Sequence, residues 1–259
     1  MGKRFAIFLF VLFCLIDQVS AQSNDELYPT DSIVSRYHNS WAIQNYRNRI
    51  KSFKKDPLNA NEIVFIGNSI TQQGGDWSEK FGIEHIRNRG IAGDLTDGVL
   101  KRLDEIVYYQ PKAVFILIGV NDVFNMYHEK DTRFTYDQIV PSPKYIADNI
   151  VKIAEMIVHN SPQTKVFVRT ILPIRKDYGN DEIVEVNRLL KACDEKSNFI
   201  LVDLYNQFVD EEGKLRIEFT KDGTHLNDAG YAHWVKFERK IMKKQLNIKK
   251  GNEKNTISI

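Results

Sequence analysis

Cysteine is nearly missing from this chain: its 259 residues include two, Cys14 and Cys193. Cys14 sits inside an apolar N-terminal run, so the remainder of the chain holds a single thiol and no internal disulfide. A disulfide scaffold is excluded, and the fold must rest on a hydrophobic core, which a chain of this length can bury. An excess of either charge is also lacking. The 36 lysines and arginines against 34 acidic residues leave a net charge of +2, which argues against nucleic acid or another polyanion as partner. Seven prolines and 14 glycines form no linker-like stretch, and no repeat recurs. Long apolar runs are scarce too. The run at residues 5–16 is too short to span a membrane comfortably.

That run has the flanks of an export signal. Lys3 and Arg4 precede it, and Val19-Ser20-Ala21 supplies small residues for cleavage before Gln22. Bulky Phe13 before Cys14 is wrong for a lipoprotein site. Residues 1–21 are therefore predicted to be a cleaved signal peptide. The mature chain is expected in the bacterial periplasm or medium, without stable membrane insertion. Residues 22–248 are expected to form one domain and 249–259 a frayed polar tail. Cys193, in the helical pattern Leu189-Leu190-Lys191-Ala192-Cys193, is predicted to be a small buried hydrophobe.

Strands and helices alternate along the rest. Residues 35–55 place Tyr37, Trp41, Ile43, Tyr46, Ile50 and Phe53 mostly at helical spacing, with their arginines and lysines on a solvated face. Strands are predicted at 63–66, 85–91, 113–118, 165–171 and 199–202. Helices are predicted at 77–81, 96–108, 145–161 and 182–196, with a last one within 226–244. Short turns between alternating elements predict an α/β/α sandwich around a parallel sheet of about five strands, ordered 2-1-3-4-5. Residues 123–144 are long for an α/β connection and rich in aromatics. They read as a lid or substrate wall, or as a loop packing its own rings.

The chain is organised around Ile63-Val64-Phe65-Ile66-Gly67-Asn68-Ser69, a buried strand ending in a polar turn. Taken alone, Ser69 reads equally as a helix N-cap and as a nucleophile. Two further strands lead into Gly93 and Asn121, and Asp222-Gly223-Thr224-His225 precedes the last helix. The glycine between Asp222 and His225 permits a tight turn that folds the carboxylate onto the imidazole. Asp222 can then fix the tautomer while His225 takes the Ser69 proton. Three oxyanion donors are at hand: the N–H groups of Ser69 and Gly93, and the Asn121 amide.

Gly67-Asn68-Ser69-Ile70, Gly93-Asp94, Gly119-Val120-Asn121-Asp122 and Asp222-Gly223-Thr224-His225-Leu226 together resemble the four ordered blocks of the SGNH, or GDSL-type, hydrolases. Many members carry aspartate where this chain has Asn68, which is not a triad position. The resemblance implies a flavodoxin-like fold with Ser69, Asp222 and His225 as triad and Ser69, Gly93 and Asn121 as oxyanion hole. Gly74-Gly75-Asp76-Trp77 and Arg89-Gly90-Ile91-Ala92-Gly93-Asp94 resemble the small-acyl members. Those include sialate and other carbohydrate O-acetylesterases and the platelet-activating-factor acetylhydrolases.

The expectation is thus a serine esterase that takes acetyl groups from a small-molecule or oligosaccharide ester, with Trp77, Phe124 and Tyr127 as candidate substrate contacts. A lysophospholipase or short-chain lipid esterase is the alternative, and a non-catalytic glycan-binding module is the reading from another class. No metal is expected, because His225 has no second histidine at ligand spacing; His128, His159 and His233 lie elsewhere. No cofactor is expected, because no glycine-rich phosphate cradle is present. Asp94 and Asp122 are read as holding backbone N–H groups, and Asp203 as doing the same.

Overall fold

The computed structural model of the protein describes residues 24–33, 35–130, 134–194 and 197–248. The predicted signal peptide and tail lie outside the described residues. The sheet grows from runs that have no polar face. Ile63–Gly67 (β1) and Ala113–Leu117 (β3) are buried at every position, as strands covered on both sides must be. Lys165–Arg169 (β4) leaves only its first residue exposed. With Ile86–Gly90 (β2) and Ile200–Val202 (β5) they form one parallel sheet, ordered β2-β1-β3-β4-β5. Order and direction are those the sequence predicts. Strand order reverses between β1 and β3, which opens a crevice at their carboxyl ends.

The helices are Ser40–Lys55 (α1), Ser69–Gln73 (α2), Trp77–Phe81 (α3), Thr96–Leu100 (α4), Asp104–Tyr109 (α5), Val120–Met126 (α6), Pro143–Asn160 (α7), Asn180–Asp194 (α8), Tyr205–Phe208 (α9) and Asp228–Gln245 (α10). One layer sets α7 against β4 beside α4, α5 and α8; α3 and α10 pair in the other. α1 adds a satellite cluster in which Leu27, Tyr28, Tyr46, Ile50 and Phe53 meet Ile91 after β2.

Three expectations need correction. The helix predicted at 96–108 is two helices, α4 and α5. Between them Arg102 turns inward to reach Asp94, the Arg89 carbonyl and the Gly67 carbonyl, and a buried guanidinium needs those acceptors more than the chain needs one unbroken helix. The stretch 123–144 is not a loop from its start. It begins within α6 and passes through a 3-10 turn at His128–Lys130, and α7 begins at Pro143 behind the Ser142 cap. Cys193 is half-buried against the core rather than fully buried.

The face of the sheet toward α10 is aromatic and contains one ion pair. Phe65, Phe115 and Phe167 are in register across β1, β3 and β4. Their ring centroids lie 5.2 and 4.1 Å apart, the second pair stacked. Arg169 inserts here, its guanidinium carbon 4.0 Å from the Phe65 ring centre and 4.9 Å from that of Trp234. Glu238 of α10 receives it through two hydrogen bonds of 2.9 Å, and the Trp234 indole N–H donates to the same carboxylate at 2.6 Å. Both charged side chains are wholly buried.

Such a pair is costly to break from one side, because the survivor is left charged and dry. Glu238→Ala should lower stability by about 3–5 kcal/mol, read as a shift in the urea midpoint. The double change Arg169→Met with Glu238→Leu should lose less than Glu238→Ala alone, since no charge is then stranded.

Candidate active site

Ser69 lies just past β1, and the local cap decides what its hydroxyl can do. Asn68 is the N-cap of α2 and accepts from the Ile70 N–H at 3.0 Å. Ser69 is therefore the first helical residue, its hydroxyl free of the capping role. That hydroxyl lies 2.9 Å from His225 Nε2. His225 Nδ1 lies 2.7 Å from Asp222 Oδ2, and Asp222 Oδ1 accepts the N–H groups of Thr224 and His225 at 2.9 and 2.7 Å. Burial pushes the Asp222 carboxyl up, but the His225 and Thr224 donors outweigh it and hold the group below the usual carboxylate range. An ionised Asp222 only accepts, so Nδ1 carries the imidazole proton and Nε2 is left to accept from Ser69.

The turn that makes this possible depends on Gly223, whose φ is +84° and whose missing Cβ would lie 3.0 Å from the Arg175 carbonyl oxygen. The Arg175 N–H donates to the Gly223 carbonyl at 2.7 Å, and the Thr220 hydroxyl donates to the His225 carbonyl at 2.8 Å.

The candidate oxyanion donors converge on the same cleft. The Ser69 N–H is at the first turn of α2 and has no intrahelical acceptor. Gly93 has φ +83°, and a Cβ there would lie 2.8 Å from the Trp41 ring; only glycine lets this backbone sit against the indole. Asn121 Nδ2 donates to the Asp94 carbonyl at 2.9 Å, and the amide has a second hydrogen for an incoming oxyanion.

Beneath the donors is a charged layer that the sequence reading only half anticipates. Asp94 is fully buried. It accepts from the Leu95 N–H at 3.0 Å, from His38 Nε2 at 3.1 Å and from Arg102 Nε at 3.0 Å. Asp122 accepts from the Thr96 N–H at 3.0 Å and the Thr96 hydroxyl at 2.5 Å. Burial pushes the Asp122 carboxyl up to about 7; the Thr96 donors oppose that shift and the Asp94 charge adds to it. α1 secures the loop from outside. Asn45 donates to the Ala92 carbonyl at 2.6 Å, Tyr46 to that of Gly98 at 3.0 Å and Arg49 to that of Gly90 at 3.1 Å. Arg49 thus leaves the solvated face assigned to it. Asp203 bonds Thr170, Asn206 and Lys191, outside the cleft lining.

The cleft encloses about 490 Å³. Phe124 lines it, but the other two candidate contacts do not. Trp77 has no exposed surface and packs among Phe65, Phe81, Tyr231 and Trp234. Its indole N–H donates to the Thr71 carbonyl at 3.0 Å, so it steadies α2 from behind; an indole this apolar is better spent filling the space over β1. Tyr127 donates to Glu182 at 2.8 Å and stands behind Tyr178, ring centroids 5.1 Å apart. The rim is instead built from Trp41, Phe134, Tyr136 and Tyr178. Trp41 is 51% exposed, and that is the signal sequence reading could not hold: an amphipathic helix gives no hint that one of its rings stays wet. The wall after α6 is pinned by Asn125, which accepts from the Val140 N–H at 2.6 Å and donates to the Gln138 carbonyl at 3.1 Å.

Comparison with known proteins gives a consistent result. The model of the GDSL-like lipase/acylhydrolase family matches residues 65–233. Platelet-activating factor acetylhydrolase IB subunit alpha2 of Rattus norvegicus is 30% identical over 201 residues, covering 74% of this chain and 79% of that one. A GDSL-like lipase from Bacteroides thetaiotaomicron superposes with a TM-score of 0.64 at 22% identity, over 78% of this chain and 98% of that one. An acetylxylan esterase from Geobacillus stearothermophilus gives 0.57 at 20%, over 71% and 95%. The two structures share the fold.

The raised Asp122 carboxyl carries a pH signature. Its ordinary value is 3.8 and its value in the fold about 7, so the stability it contributes is full below about pH 4 and is lost as pH rises through about 7. Thermal unfolding between those limits should show wild type losing stability and Asp122→Asn following a flatter curve. Parallel curves for the two proteins would refute the shift.

Proposed function

The chain belongs to the GDSL-like lipase/acylhydrolase family and is a carboxylic-ester hydrolase, and from that premise we propose that it removes acetyl groups from O-acetylated carbohydrates, sialic acids or other sugars, through Ser69, His225 and Asp222. The observation that carries the reading is the cleft. A hydroxyl in line with an imidazole and a carboxylate opens into a space rimmed by aromatic rings, one of them the exposed Trp41. Aromatic faces carry negative quadrupole charge and suit the C–H faces of a sugar ring.

The steps follow from the distances. Ser69 Oγ attacks the acetyl carbonyl as its proton passes to His225 Nε2, and Asp222 stabilises the imidazolium. The Ser69 and Gly93 N–H groups and the Asn121 amide receive the oxyanion. On collapse His225 protonates the departing sugar oxygen and acetyl-Ser69 remains. Water, deprotonated by the same imidazole, then releases acetate and restores the serine. The site of action in this reading is the periplasm or the medium, as the N-terminal pattern of Lys3, Arg4 and Val19-Ser20-Ala21 implies.

A small acyl group is supported by the acetylhydrolase relatives at 30% identity. The same relatives favour a second reading, a short-chain lipid acylhydrolase, since their name refers to platelet-activating factor.

Acetate release separates the two. Residues 22–259 should free acetate from O-acetylated sialic acid or from acetylated xylooligosaccharides, and Ser69→Ala should abolish it. Asn121→Ala should lower kcat by about 100- to 1000-fold. Turnover of esters with eight or more carbons, with no acetate from either sugar, would favour the lipid reading; full activity in Ser69→Ala would overturn the triad.

A further inference from the structure

The cleft holds a charge that ester cleavage does not use. Lys176 is half-buried and lines it together with Ser69, Asn121 and His225. Among the described residues its ammonium has no hydrogen-bond or ion-pair partner. Its charged neighbours are engaged elsewhere. Arg175 pairs with Asp210 and donates to the Leu215 carbonyl at 2.8 Å, and Asp177 lies 3.8 Å from Lys214. At the mouth Lys221 donates to Gln73 at 2.7 Å. Asp222, the carboxylate in the lining, is committed to His225. Among the described residues Lys176 is left as a cleft-lining cation without a counter-charge.

Its backbone is fixed relative to the reacting atoms. Immediately before it, the Arg175 N–H donates at 2.7 Å to the carbonyl of Gly223, inside the turn that joins Asp222 to His225. Just beyond it Asn180 closes the loop, accepting from the Ile174 N–H at 2.9 Å and donating to the Ile174 carbonyl at 2.7 Å. The aromatic rim lowers the local dielectric, and a charge there attracts a counter-charge more strongly than it would in open water.

We propose that Lys176 is a specificity-determining residue that selects acetyl esters bearing an anionic oxygen group, the carboxylate of an acidic sugar being the partner under the carbohydrate reading on which this rests. The ammonium pairs with that group while Ser69 attacks the acetyl carbonyl. A phosphate placed similarly on an acetylated glycerol lipid offers the same chemistry, and the experiment separates the two sources.

The test compares kcat/KM for acetate release within two matched pairs. One pair is O-acetylated sialic acid and its carboxamide. The other is an alkyl acetyl glycerol phosphate and its dephosphorylated alcohol. Wild type should prefer the charged member of one pair by about 10- to 100-fold, and the preference should shrink as salt rises. Lys176→Gln should bring the ratio near unity, Lys176→Glu should invert it and Lys176→Arg should retain it. A preference in the sugar pair identifies a carboxylate, and one in the lipid pair a phosphate. A Lys176-dependent preference for the charged lipid, with no acetate from either sugar, would end the carbohydrate reading and leave this proposal standing. A ratio the same in wild type and Lys176→Gln overturns it, and so does hydrolysis of p-nitrophenyl acetate without hydrolysis of either charged ester.

Discussion

The reacting edge of this enzyme depends on keeping one dry carboxylate satisfied. Asp94 has no exposed surface, and its partners come from three places: His38 ahead of α1, the Leu95 N–H beside it and Arg102 between α4 and α5. An unmatched buried charge costs several kcal/mol, so the loop after β2 has an arrangement in which all these bonds form and few others it can tolerate. Arg102 extends the constraint to the carbonyls of Gly67 and Arg89, tying the ends of β1 and β2 to the same group. The Asp94 carbonyl then orients the Asn121 amide. The geometry of the proposed oxyanion donors is thus set from below, by the Asp94 and Arg102 side chains, which are outside the cleft lining.

This arrangement explains what could be read from the sequence. β1 and β3 are legible because burial on both faces leaves runs with no polar residue, and the polar blocks at their ends stand out against them. Asp222 and His225 are legible because their bond is local. Trp77 misleads because nearness in sequence to the Ser69 turn suggests nearness to substrate, whereas the space over β1 claims the ring. The cap is ambiguous in principle: Asn68 and Ser69 can both cap a helix, and only the backbone shows which does. Trp41 lines the cleft from α1, while Lys176 and Tyr178 line it from a loop more than a hundred residues later. No local pattern marks them.

The site also joins elements of very different character. Ser69, the proposed nucleophile, is on a five-residue helix held from behind by Trp77 and by Tyr231, whose hydroxyl donates to the Ile70 carbonyl at 2.8 Å. His225, the proposed base, is on a turn whose glycine is bonded to the loop that carries Lys176. The proposed catalytic and selecting groups therefore share one mechanical frame. Under those proposals, substrate choice and reaction geometry are coupled through the Arg175–Gly223 backbone hydrogen bond.

The Arg169–Glu238 pair bears on when the enzyme comes alive. Greasy surfaces can slide past one another, but a two-pronged guanidinium–carboxylate contact inside a dry layer accepts a single register. That contact fixes the pitch of α10, and α10 starts shortly after His225. The proposed nucleophile and oxyanion donors belong to the first half of the polypeptide, while the proposed base, His225, comes just ahead of α10. Under the proposed mechanism Ser69 lacks its base during synthesis until the segment carrying His225 has been made. Under the proposed mechanism reactivity thus has a chronology set by topology: the serine waits on a partner 156 positions further along the chain.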